Sequence, residues 1–136
     1  MPARYLLDTN TVSYIIKGNI PRVRERLVKT PMAQVAISVI TEAELRFGVV
    51  RRPEATRLKV VVEEFLLRVA VLPWDSEAAR HYADVRATLE RAGTSMGNLD
   101  LMIAAHSLAA HAVLVTNDRV FSRIKQLKIE NWTRPR

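Results

Sequence analysis

Three carboxylates in this chain, Asp8, Glu44 and Asp100, stand where predicted strands give way to helices, and together they would make a site for a divalent cation. Asp8 opens the tripeptide Asp8-Thr9-Asn10, directly after the apolar run Tyr5-Leu6-Leu7. A short apolar strand there delivers a carboxylate and two small polar side chains to its C-terminal end. Open parallel α/β sheets bind their ligands at that end. Asp and Asn also cap helices that follow strands, so Asp8 or Asn10 could serve that purpose alone. If the acids converge, they repel one another, and a hard cation relieves the repulsion.

Glu42 and Glu44 separate by geometry. At about 100° per residue, positions two apart on a helix point to nearly opposite faces. Ile40, Phe47 and Gly48 fall within about 60° of Glu44, which predicts an apolar, core-facing side. Glu42 shares the other face with Arg46 as a favourable i,i+4 pair. An inward carboxylate must be paired, protonated or metal-bound, and Glu44 is that acid. Asp100 makes the case more sharply. It lies in Leu99-Asp100-Leu101-Met102-Ile103-Ala104-Ala105, apolar on nearly every side, so the helix and Asp100 are expected to be buried together. The helix dipole offers such a carboxylate about 0.3–1 kcal/mol, small against the several kcal/mol of burying an unpartnered charge. Asn117 and Asp118 follow another predicted strand, where an Asn-Asp pair can simply form a turn or support the site. Thr9, Asn10, Ser38 and Thr116 are placed to orient carboxylates or water.

The elements that would position these groups alternate. Strands are expected over residues 4–7, 35–38, 69–72 and 112–116, with an edge strand near Lys128-Ile129. Helices are expected over 11–17, stopped at Gly18, and from Pro21, a favoured first helical residue, to about 29. Further helices span about 41–51, 54–68 after Pro53, and 76–91, capped by Asp75 or Ser76 with Gly93 just beyond. The last are 99–110, capped by Asn98, and a short turn over 119–124. This alternation predicts a three-layer α/β/α sandwich around a mostly parallel sheet.

Composition sets the outer limits. The 136 residues suffice for a single domain over 1–136 with one substantial core. The absence of cysteine removes disulfides, thiolate metal sites and cysteine nucleophiles. No secretory signal is expected, because Asp8 and Asn10 interrupt the first apolar run, and the chain reads as a soluble cytoplasmic protein with no membrane partner. Lys and Arg number 21 against 14 Asp and Glu, giving +7, and the basic residues are dispersed. A polyanion, nucleic acid first, is the natural partner, although a basic surface also serves solubility. Four glycines leave no phosphate loop or dinucleotide fingerprint, and no nucleophile elbow is present. His106 projects about 120° from Asp100 around its helix, which makes it a packing or hydrogen-bonding histidine rather than a shared ligand. Trp74 and Trp132 are expected at core edges.

Four segments in order resemble the PIN domain, and more narrowly the VapC toxins of bacterial type II toxin–antitoxin systems. They are Leu6-Leu7-Asp8-Thr9-Asn10, Glu44-Leu45-Arg46-Phe47-Gly48, Gly97-Asn98-Leu99-Asp100 with Ile103-Ala104-Ala105-His106, and Val115-Thr116-Asn117-Asp118. The resemblance spans nearly the whole chain. It implies a Mg²⁺-dependent endoribonuclease neutralised by a VapB-type antitoxin, with Asp8, Glu44, Asp100 and Asp118 as its acids. Family members often carry an acid two residues after the position of Asp118, where this chain has Val120. The fourth carboxylate is thus left to Asp118 or Asn117. An all-oxygen donor set selects Mg²⁺ or Mn²⁺. On this reading Asp8 and Asp100 bind the ion, Glu44 orients or deprotonates water, and Asp118 or Asn117 completes the shell, with Thr9, Asn10, Thr116 and Asn117 supporting. Two other readings stand beside it. One is a non-catalytic basic nucleic-acid-binding module, the other a Mg²⁺-binding phospho-acceptor domain using Asp75. Apolar positions such as Val60, Val61 and Leu67, with Glu64 beside them, hint at a homodimer or antitoxin surface and are equally explained by core packing.

Overall fold

Every strand of this chain is short, and the three-residue run Tyr5–Leu7 (β1) forms the middle of the sheet. The computed structural model describes residues 3–135. The remaining strands are β2 (Val35–Ser38), β3 (Ala70–Leu72), β4 (Val113–Val115) and β5 (Ile129–Glu130). They pair in the order β3-β2-β1-β4-β5, all parallel. The α-helices are α1 (Thr9–Lys17), α2 (Pro21–Lys29), α3 (Val39–Val50), α4 (Thr56–Arg68), α5 (Ser76–Arg91) and α6 (Asn98–Ala109). Short 3₁₀ turns cover Met32–Gln34 and Arg119–Arg123.

A sheet covered on both faces needs apolar residues at successive positions, and the inner strands supply them. Tyr5, Leu7, Val35, Ile37 and Val115 pack towards α1, α2 and α4, together with Val12, Val23, Val62 and Trp132. Leu6, Ala36 and Leu114 point the other way, to Val85 and Leu89 of α5 and Leu101, Ile103 and Ala104 of α6. Each fully buried Leu or Val contributes about 1.5–3 kcal/mol, so this alternation fixes the register strongly. Trp132 closes the first core, its ring 5.5 Å from Tyr5 at 65°. Trp74 is half-buried and donates its indole N–H to the Met102 carbonyl.

Boundaries shift where caps decide them. The first helix begins at Thr9 rather than Thr11, because Asp8 is its N-cap and accepts from the Thr11 amide at 2.8 Å. It ends at Gly18, whose φ of 68° closes the helix, as the glycine implied. The helix expected from Leu99 begins one residue earlier: Asn98 is its first residue and Gly97, with no side chain to offer, is the cap. Two burial expectations also fail. Phe47 is 64% exposed, and the core side of α3 is Thr41 and Leu45. Asp100 is only half-buried, with Leu99 exposed beside it, because the first turn of α6 stands at the rim of the sheet.

Strand order reverses at β1. The chain builds β1, β2 and β3 outward on one side and then returns to lay β4 against the opposite edge of β1. The crevice beyond the C-terminal ends of β1 and β4 is therefore a topological switch point, where parallel sheets open a ligand site.

Candidate active site

Asp8 and Thr116 meet in that crevice because Leu7 pairs with Val115, placing the next residue of each strand side by side. The Asp8 amide donates to the Val115 carbonyl at 3.0 Å, and the Thr116 hydroxyl donates to Asp8 Oδ2. Thr11 adds a second tie, its hydroxyl donating to the Val115 carbonyl at 3.0 Å. Asp8 is 3% exposed. Burial is the largest influence on its carboxyl and pushes it above the ordinary value of 3.8. Hydrogen bonds from Thr116 and Thr11 pull it back, and the Asp118 charge pushes it the same way as burial. Thr116 is thus the main counterweight to a buried charge. Thr116→Val should raise the Asp8 carboxyl pKa further, read by NMR titration of that carboxyl. An unchanged titration would remove Thr116 from this role.

Glu44 reaches the crevice from α3. Its Oε1 accepts from the Thr9 hydroxyl in the first turn of α1, and that hydroxyl lies 3.3 Å from Thr41 Oγ1. The helical projection set Glu44 apart from Glu42, and Glu42 does pair outward with Arg46 at 2.7 Å. The neighbour of Glu44 is the crevice, however, not the core. Asp100 enters from the first turn of α6. Its carboxyl is raised by burial first, then by the charges of Asp118, Glu44 and Asp8 in that order. Asp100 is therefore acted on by acids from three other segments of the chain.

Asp118 and Asn117 divide clearly. Asp118 caps the 3₁₀ turn through Val120, accepting from its amide at 3.0 Å, and its own amide donates to the Thr116 hydroxyl oxygen. It is the leading charge acting on Asp100. Asn117 is exposed and donates to the Tyr14 hydroxyl at 3.1 Å. Asn10 is exposed on α1 and makes no hydrogen bond to the acids.

As they stand, no three His, Asp or Glu side chains among the described residues form a ready-made metal cage. The hydrogen bonds explain why. Asp8 Oδ1 is turned to the Thr11 amide, Glu44 to Thr9, and Asp118 Oδ1 to the Val120 amide. Like-charged carboxylates left to themselves take such local donors rather than face one another. The donor set nonetheless fits a hard divalent ion: it is all oxygen, and Asp8 and Asp100 are held above the ordinary carboxyl pKa by burial first and by neighbouring carboxylate charge after it.

His106 belongs to neither role weighed for the acids. It is buried, its Nδ1 lies 2.7 Å from the Ser38 hydroxyl, and burial lowers its pKa from 6.5. Ser38, expected to orient carboxylates or water, instead caps α3 and meets His106, while the Thr11 tie to Val115 carries no signal in the sequence.

The PIN domain profile matches residues 5–127, which hold the parallel sheet to its fourth strand and all the acids at its switch point. The chain belongs to the PIN-domain family, and within it to the VapC proteins. It is 40% identical over 130 residues to the tRNA(fMet)-specific endonuclease VapC of Salmonella typhimurium, across 95% of this chain and 98% of that protein. Ribonuclease VapC2 of Haemophilus influenzae is 35% identical over 130 residues, covering 95% and 98% respectively. Among solved structures, DNA-bound VapBC from Salmonella typhimurium aligns with a TM-score of 0.90 and 40% identity, covering 96% of this chain and 98% of that one. VapBC2 from Rickettsia felis, bound to a promoter DNA fragment, aligns at 0.86 and 34%, covering 94% and 98%. Ribonucleases of this family are metal-dependent. Membership displaces the phospho-acceptor reading, and Asp75 caps α5 by accepting from the Ala78 amide at 3.1 Å.

Proposed function

We propose that this chain is an endoribonuclease acting with Mg²⁺, for which Mn²⁺ can substitute, as the toxin of a VapBC-type pair. The observation that carries the reading is the charge cluster at the switch point, where Asp100 is acted on by Asp118, Glu44 and Asp8 together. Asp8 and Asp100 would hold the ion, with Asp118 as the further acid of the shell. A bound divalent ion lowers the pKa of water and neutralises charge growing on a phosphoryl oxygen. Glu44, already oriented by Thr9, accepts the proton of the attacking water. The water oxygen bonds to phosphorus while the bond to O3′ breaks, and O3′ takes a proton from solvent, leaving a 5′-phosphate and a 3′-hydroxyl. The ribose 2′-hydroxyl takes no part. The net charge of +7 supports binding of the RNA backbone.

Partners follow from the surface and the relatives. A groove of about 660 Å³ between α1, α2 and α4 is lined by Ile15, Ile16, Leu27, Val28, Val61 and Phe65. Its apolar lining suits an apolar segment of a VapB-type antitoxin, such as the partners in the related VapBC complexes. The core face of α4 uses Val62 with Leu58, Phe65 and Leu66, while Val60 and Leu67 stay outside, Leu67 at 86% exposure. These, with exposed Phe47 and Val50 of α3, support self-association as a homodimer. No helix among the described residues is long and apolar enough to cross a membrane, and a cytoplasmic toxin is the reading adopted.

The test is cleavage of total cellular RNA by purified protein, with ends mapped. Fragments bearing 5′-phosphate in Mg²⁺ and no cleavage in excess EDTA are expected. Fragments with 2′,3′-cyclic phosphate ends would show attack by the ribose and refute the water mechanism.

A further inference from the structure

Ser38 is the last residue of β2 and the N-cap of α3, the helix that carries Glu44. It is wholly buried, and its Oγ accepts from the Ile40 amide at 3.1 Å. His106 lies on α6, the helix that carries Asp100, and is 4% exposed. The two side chains meet at 2.7 Å, Ser38 Oγ to His106 Nδ1. Because Ser38 Oγ already accepts from Ile40, its own hydrogen is free to donate to Nδ1. A neutral imidazole with its proton on Nε2 accepts that hydrogen at Nδ1. Burial is the largest influence and disfavours the charged ring, while the Asp75 charge and the Pro73 backbone pull the other way. His106 thereby joins two places, the start of α3 and the last turn of α6.

We propose that His106 is a positioning residue that sets the height and rotation of α6 against α3, and through them the placing of Asp100 relative to Glu44. It lies six residues beyond Asp100, roughly 9 Å down the helix axis, and touches none of the acids. Its one polar link to the Glu44 helix passes through Ser38, at the foot of that helix. Ile103, Ala104 and Ala105 precede His106 in the buried face, Ser107 donates to the Ala112 carbonyl at 3.0 Å, and Asp75 is the charge that acts on the ring. A hydrogen bond in such surroundings is directional where apolar packing is not, so it can fix a rotation that packing alone leaves loose. The inference rests on the assignment of Asp100 and Glu44 to the metal site.

The test compares Mn²⁺ affinity by calorimetry, KM for RNA at saturating metal, and Tm in five variants of the full chain. Ser38→Ala and His106→Leu should each weaken Mn²⁺ binding about tenfold, the lower end for groups lying behind ligands, while KM for RNA is unchanged. His106→Asn keeps an acceptor near the Nδ1 position and should restore most of the affinity, whereas His106→Gln, which matches Nε2, should not. Loss of Tm alone would follow from removing the α3 cap, so metal affinity is the deciding readout. Asp100→Asn is the control. If it loses Mn²⁺ binding while Ser38→Ala and His106→Leu bind like the parent, the positioning role is overturned. It is overturned equally if His106→Asn binds no better than His106→Leu. If Asp100→Asn itself binds like the parent, the site assignment falls and the proposal with it. Should His106→Leu fail to fold, Ser38→Ala, which removes one oxygen, decides the question.

Discussion

Asp8→Asn should lower RNA cleavage by about 10³-fold or more and cost little stability. The loss follows from removing a ligand whose ion supplies several kcal/mol of charge stabilisation, at about 1.4 kcal/mol per factor of ten. Stability is the telling half. Asn caps helices as well as Asp does, so the bond from the Thr11 amide survives. Burial raises the Asp8 carboxyl above 3.8, so its stabilising, protonated form is complete below that value. That contribution is lost as pH rises through the raised pKa, and at pH 7 the ionised group opposes folding. The amide removes this cost, which offsets the reversed bond with Thr116. Metal-free Tm at pH 7 should therefore match or exceed the parent's. A marked fall in Tm would mean that Asp8 is held for the fold rather than for the reaction.

Chelation is the second large effect. In excess EDTA cleavage should fall below detection, and Mg²⁺ should raise Tm as it restores activity. At a hundredfold excess over its dissociation constant, an ion bound only by the folded chain adds about 2.7 kcal/mol. For a domain of this size that corresponds to roughly 10 °C. The increment should grow as pH rises, because Asp8 and Asp100 both bind the ion ionised and both carry raised pKa values. Asp100→Asn should abolish it. A Tm increment of equal size in Asp100→Asn would place the ion elsewhere.

Much of the fold is readable from residue order because several signals agree. An apolar triplet ending before Asp8, with Gly18 and Pro21 as punctuation, marks the first strand and the two helices after it. The apolar runs at Leu6-Leu7, Val35–Ser38 and Val113–Val115 require a sheet covered on both sides. Glu42 and Glu44 are separable because about 100° per residue distinguishes faces. What the projection cannot supply is the location of the sheet relative to α3. That helix has apolar residues on two sides: Thr41 and Leu45 are buried, Ile40 and Val49 pack partly against the core, and Phe47 and Val50 stay outside. Asp100 lies shallower than expected, because an apolar stretch does not reveal which of its turns stands at the rim. The choice between Asn117 and Asp118 needs the turn itself, in which the Asp118 side chain folds back over Val120 while Asn117 swings out to Tyr14. Ser38 and His106, 68 positions apart, are joined only by the fold.

Cleavage by this mechanism requires side chains scattered through the chain to turn from their separate hydrogen bonds and grip one ion. Crystals of the protein grown with Mn²⁺ and measured for anomalous scattering test this directly. A peak within about 2.0–2.2 Å of oxygens from both Asp8 and Asp100 is the expected result. Strong Mn²⁺-dependent RNA cleavage by protein whose crystals hold the ion away from both residues would contradict it.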